Sequence, residues 1–234
     1  MSRLYGLIAV TTLAALGSAP VSAATVTQCG PTVCYTYDDA QAAVAEFGLP
    51  TLAGDSLIFL PPSFRAQSTD GAGIDTATAN FIFDEVRARN GVTELRALTV
   101  FEEGDYEVTN GDRVNADLLL SVVNLEPGPP LFPGGPSIPE TATDSDSFDA
   151  FGDSGGLQQW SMLAVVDPKA EFEANSTRVS MTIQNTLTAE TTDVGEDAWI
   201  QKKITLTAAV PVPAAVWLFA SGLGLLAGVR RIRR

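Results

Sequence analysis

The chain contains no histidine, only two cysteines (Cys29 and Cys34), and only three lysines among 234 residues. Histidine is the side chain whose unperturbed pKa falls near neutrality, so its absence removes most hydrolase, transferase and metalloenzyme designs. Two thiols cannot build a zinc or iron–sulfur site. Their spacing, CGPTVC, differs from the C-x-x-C redox pattern, and Gly30 and Pro31 supply a turn between them. In an oxidising compartment this reads as a local disulfide, Cys29 to Cys34. So small a loop loses little entropy on closure, so the bond pins the N-terminal strand rather than holding the fold. Long hydrophobic runs are missing as well. The two apolar stretches, Leu4 to Leu16 and Val216 to Val229, lie at the ends and are short for a membrane span.

Both ends nevertheless carry addresses. Arg3 precedes the first apolar run, and Val21-Ser22-Ala23-Ala24 offers small residues where a signal peptidase cuts. Residues 1–24 are therefore expected to be a signal peptide. At the other end, Val210-Pro211-Val212-Pro213-Ala214 resists helix formation, because proline lacks an N–H and restricts the residue before it. The apolar segment that follows carries Val216, Trp217, Leu218, Phe219, Leu223, Leu225, Leu226 and Val229, and the chain closes on Arg230, Arg231, Arg233 and Arg234. By the positive-inside rule the basic end stays in the cytoplasm. From Ala214 to Val229 a helix spans roughly 24 Å at about 1.5 Å per residue, against a hydrocarbon core of about 30 Å. Such a span suits temporary retention.

This proline, apolar and arginine tail resembles the PEP-CTERM sorting signal of Gram-negative envelope proteins, with Val212 in the place of that family's glutamate. The resemblance is confined to residues 210–234. It implies recognition by an exosortase, transient residence in the inner membrane, cleavage near the proline pair, and delivery to the cell surface or extracellular matrix. Family members often accompany exopolysaccharide and biofilm genes.

All 28 acidic residues lie between Thr25 and Ala209, with nine of the 14 basic ones, a formal balance of −19 for the exported part. That field repels nucleic acid and anionic lipid, which excludes DNA or RNA as a partner. It suits a protein that stays soluble at high salt, binds divalent cations, or sits among extracellular polymers.

The exported region, about 185 residues, is long enough for one domain with a real core. Val179, Met181, Ile183 and Leu187 alternate with polar neighbours, the period-two pattern of a half-buried strand. Similar runs occur at 57–60, 78–86, 95–101, 106–109, 114–123, 160–166 and 199–207. Turn clusters at Asn90-Gly91, Glu103-Gly104-Asp105, Asn110-Gly111-Asp112 and Asp193-Val194-Gly195 separate them. The stretch from Phe101 to Val123 reads as two successive hairpins. The expected fold is all-β, an antiparallel sandwich or jelly-roll-like ectodomain with one short helix, followed by a single C-terminal transmembrane helix. The helix is expected over 40–47, capped by Asp38 with Gln41 completing a capping box, and stopped by Gly48 and Pro50. Residues 126–140 hold six prolines and three glycines and are expected as a surface loop.

Asp144, Asp146, Asp149 and Asp153 place four carboxylates within ten residues, a weak candidate Ca²⁺ site that lacks the glycine and distal glutamate of an EF-hand. No other cofactor is expected. Within the same stretch, Gly152-Asp153-Ser154-Gly155-Gly156 matches the nucleophile segment of chymotrypsin-like proteases, but that chemistry needs a histidine base. Glycosidases need only two carboxylates, a condition that 28 acids meet by chance. No catalytic residue is assigned. The sequence points to a non-enzymatic structural or adhesive protein of the surface or matrix, associated with exopolysaccharide. A carbohydrate-binding module is the alternative, and a glycan-degrading enzyme ranks behind it.

Overall fold

The computed structural model describes residues 24–91 and 93–209. The expected signal peptide up to Ala23, the proline motif, the apolar segment and the arginine cluster lie outside the described residues. Among the described residues no helix is long and apolar enough to cross a membrane.

Two antiparallel sheets make up the body. The first runs β1 (Thr25–Cys29), β2 (Val33–Asp38), β6 (Gly73–Ala88), β11 (Arg178–Thr191), β8 (Arg113–Asn124) and β9 (Thr141–Phe151). The second runs β10 (Gln158–Val166), β7 (Leu98–Thr109), β12 (Asp197–Ala209), β4 (Ser56–Phe59) and β3 (Thr51–Ala53), with β5 (Arg65–Thr69) also on β12. Alternating residues from the two inner faces merge into one core: Phe81, Phe83, Ile183, Leu118 and Leu120 from the first sheet meet Leu57, Phe59, Val100, Met162 and Ile200 from the second. This is the all-β, antiparallel architecture that the period-two pattern predicts.

The chain crosses repeatedly from sheet to sheet, which corrects the hairpin reading of residues 101–123. Strands β7 and β8 belong to opposite sheets, so Asn110-Gly111-Asp112 is a crossover and not a hairpin turn. Glu103-Gly104-Asp105 is no turn either; it lies in the middle of β7. Its glycine is there for space. A Cβ on Gly104 would lie 2.0 Å from the Gln201 carbonyl oxygen and 2.6 Å from the Trp160 ring. The indole of Trp160, directly opposite in β10, occupies the room that the missing side chain leaves.

The predicted helix shrinks to one turn, α1 (Val44–Phe47), whose N-cap is Ala43 with no side-chain bond. Gln41 makes no capping box because it has better partners. It accepts from the Ile82 N–H (2.8 Å) and donates to the Ile82 carbonyl (3.1 Å), groups of β6 beyond the point where β2 stops pairing. Phe47 docks the turn on the core, with its ring 5.7 Å from Phe59 and 5.8 Å from Phe64. A second single turn, α2 (Pro168–Glu171), is capped by the Asp167 carboxylate. Cys29 and Cys34 face each other across the β1–β2 hairpin and form the disulfide. The proline-rich stretch leaves the Asn124 end of β8 as a loop closed by a bridge between Pro130 and Ser137, with Leu131 and Phe132 exposed at its tip.

Candidate functional site

The acidic stretch is not the loop its composition suggests. Residues 141–151 form β9, the edge strand of the first sheet, paired along β8 from Arg113↔Phe151 to Val123↔Thr141. A strand sends successive side chains to opposite faces, and this scatters the four aspartates. Asp144 and Asp146 point toward β10, where their carboxylates accept the backbone N–H groups of Val165 (2.7 Å) and Leu163 (2.9 Å). Asp149 lies on the other face, bonded to Arg113 (2.8 Å) and Asn115 (3.1 Å). Asp153 turns back onto the Gly155 N–H. The structure therefore does not bring the proposed calcium ligands together, and among the described residues no group of three or more His, Cys, Asp or Glu is placed to hold a metal ion. What Asp144 and Asp146 do is satisfy the open amides of the neighbouring sheet's edge, where another chain would otherwise pair.

Ser154, the serine of the protease-like pentapeptide, is likewise spoken for. Its hydroxyl accepts from the Val108 N–H (3.0 Å) and donates to the Gly156 carbonyl (2.7 Å), tying the β9–β10 loop to the end of β7. Of the tryptophans in the described region, Trp160 is core, stacked at 6.3 Å on Phe148, while Trp199 lies half-buried under the Arg65 guanidinium at 4.5 Å.

The outer face of the first sheet presents a broad array of hydroxyls and amides. Registered rows cross four strands: Thr78, Thr186, Asp117 and Ser147 in one, Asn80, Gln184, Leu119 and Ser145 in the next. The middle of this face holds a shallow depression of about 460 Å³, lined by Asp117, Leu119, Ser145, Ser147, Gln184 and Thr186. Side chains of this kind exchange hydrogen bonds with polyhydroxylated polymers and, being short or strand-ordered, lose little conformational freedom in doing so.

Between the sheets lies a second polar group, fully enclosed. Glu102 on β7 and Lys202 on β12 are both 0 % exposed and paired at 2.8 Å. Asn185, from the facing inner surface of β11, completes the set: its Nδ2 donates to Glu102 Oε2 (2.9 Å), and its Oδ1 accepts from Lys202 Nζ. Thr205 donates to Glu102 Oε1 (3.3 Å). The rings of Phe47 and Phe64 roof the lysine nitrogen at 4.8 and 5.2 Å. A β-bulge between Lys202 and Ile204 creates the geometry. Upstream of it Ala198, Ile200 and Lys202 face inward; downstream Thr205 and Thr207 do, because the extra residue flips the alternation. Burial raises the Glu102 pKa, and Lys202, Thr205 and Asn185 oppose this without reversing it. Burial likewise lowers the Lys202 pKa to about 8, against the opposing pull of Glu102. Both shifts run toward the neutral acid and neutral amine, while at about 8 the lysine still keeps its proton in most molecules at neutral pH.

Sequence reading missed this triad because its members lie 17 and 83 residues apart along the chain. One signal was present. Each residue interrupts an otherwise apolar inner face: Leu98-x-Val100-x-Glu102, Ile183-x-Asn185-x-Leu187, and Ala198-x-Ile200-x-Lys202. Comparison with protein-family models and with curated proteins finds no match.

Proposed function

We propose that this is an exported, non-enzymatic protein of the surface or extracellular matrix of a Gram-negative-type envelope, structural or adhesive in role and associated with exopolysaccharide. Its tail resembles the PEP-CTERM signal. On this reading an exosortase acts on residues 210–214, residues 216–229 form a transmembrane helix that holds the chain in the inner membrane, and the terminal arginines keep that helix oriented. The body is a jelly-roll-like platform.

The observation that carries the adhesive role is the outer face of the first sheet, where threonine, serine, asparagine and glutamine side chains, with Asp117 and Leu119 on β8 between them, lie in rows across four strands. A flat polar face gives weak contacts that add up along a repeating polymer. The depression around Gln184 and Asp117 favours the second reading, a carbohydrate-binding module with a defined subsite.

Co-sedimentation with exopolysaccharide from the producing cells tests both. The platform reading expects binding that grows with polymer length and falls gradually as Thr78, Thr186 and Gln184 are replaced. The module reading expects saturable binding to short oligosaccharides, abolished by Gln184→Ala alone. Absence of binding to any matrix polymer contradicts both.

A further inference from the structure

We propose that Lys202 and Asn185 become joined by an intramolecular isopeptide bond, with Glu102 as the proton-transferring residue, so that the two sheets are covalently tied through the core. This goes beyond the proposed function and does not depend on it.

Three observations carry the inference. First, the nucleophile already lies beside the group it would attack. The Lys202 Nζ is in contact with the side-chain amide of Asn185 at Oδ1, one bond from the carbonyl carbon it would attack. The two residues are held by strands of opposite sheets, so the encounter is built into the fold and its entropy is already spent. Second, one carboxyl group bridges the nitrogen that arrives and the nitrogen that leaves. Glu102 Oε1 lies 2.8 Å from Lys202 Nζ, and Glu102 Oε2 lies 2.9 Å from Asn185 Nδ2. Third, the site is closed to solvent. Glu102 and Lys202 are 0 % exposed and Asn185 1 %, under the rings of Phe47 and Phe64. A closed apolar site favours the neutral amine, which is the nucleophilic form, and keeps out the water that would compete for the carbonyl.

The step balances without any co-reactant. The uncharged Nζ attacks Cγ of Asn185, and the Nζ–Cγ bond forms. As the carbon becomes tetrahedral, Nδ2 loses its amide conjugation and becomes basic. Glu102 takes one proton from Nζ and delivers one to Nδ2. The Cγ–Nδ2 bond breaks and ammonia departs, leaving a secondary amide between the two side chains. Nothing is oxidised or reduced, and the carboxyl group ends as it began. Lys202 sits on β12, the last described strand before the tail. The bond would transfer any pull on that tail to β11, a central strand of the first sheet.

Peptide mapping of the full chain decides the matter. The protein is expressed with both ends intact, denatured, reduced, and cut with trypsin and a glutamate-specific protease. Cleavage after Glu190 and Glu196 separates Asn185 from Lys202. The expected product is a branched species containing both residues, lighter than the sum of its two peptides by one ammonia, with fragmentation placing the junction at the lysine side chain. Two linear peptides of full mass would overturn the proposal. The wild-type digest is decisive by itself, so misfolding of a variant does not blur it. In the soluble, β-structured fraction of Glu102→Gln, the branched species is expected to vanish while its two linear peptides persist. Branching at the wild-type level in that variant would overturn the role given to Glu102.

Discussion

The carboxylate of Asp146 on β9 accepts the backbone N–H of Leu163 on β10 at 2.9 Å, joining the edge strands of two different sheets through a side chain. Asp144 does the same for Val165 one step along. Edge strands in antiparallel proteins expose ladders of unpaired donors. Here two acidic side chains close one of them.

That relationship predicts a specific pattern. Asp144→Ala and Asp146→Ala should each cost about 1 kcal/mol, the scale of one hydrogen bond to a charged group that is still partly wet. Amide exchange at Val165 and Leu163 respectively should accelerate. Asp146→Asn keeps an acceptor oxygen and should preserve protection. Asp149→Ala, which loses bonds to Arg113 and Asn115 on the opposite face of β9, should leave exchange in β10 unchanged.

Gly104→Ala should be among the most damaging single-methyl additions in the protein. The new Cβ meets a backbone carbonyl as well as the Trp160 ring, and only the ring has any freedom to yield. Overpacking of this kind costs about 1–3 kcal/mol. Chemical denaturation gives the loss, and tryptophan emission shifting to the red would show that the indole has been pushed out of its slot.

Glu140 makes the loop junction sensitive to acid. Burial alone would raise its pKa, but bonds from the Glu173 N–H, the Asn124 side chain and the Ala174 N–H outweigh that and lower it. The folded pKa is thus below the unfolded one. The contribution is present above the unfolded value and is lost as pH falls through the folded value. Denaturant midpoints measured from pH 7 down to about 3 should decline for the wild type. Glu140→Gln should start lower at neutral pH and show a shallower decline.

The sequence made the strands with a buried apolar face legible and the polar edge strand β9 opaque, for a physical reason. Strands β8 and β11 have one apolar and one largely polar face, so period two is visible in Val114 to Val123 and Ser180 to Leu187. Strand β10 shows as the apolar run Trp160 to Val166, whose outer face keeps Leu163 and Val165 exposed. Strand β9 has almost no apolar face. Its Ser and Asp residues are turn formers by propensity, and pairing with β8 and the bonds to β10 make them a strand. Asn110-Gly111-Asp112 has the composition of a hairpin turn, and local composition does not say whether the next strand joins the same sheet or the other. The Glu102, Asn185 and Lys202 cluster needed the bulge beside Lys203 as well as the topology. By contrast, the Cys29–Cys34 bond was readable from the sequence, since an exported chain with two cysteines offers each one partner.

The most direct test of the account concerns the chain's route to the surface. Intact mass spectrometry of the protein released from the cell surface should find the C-terminus between residues 210 and 215, and this truncation should disappear when a co-resident exosortase is deleted. Protein that keeps Arg234 and remains in the inner membrane, with or without the exosortase, would contradict it.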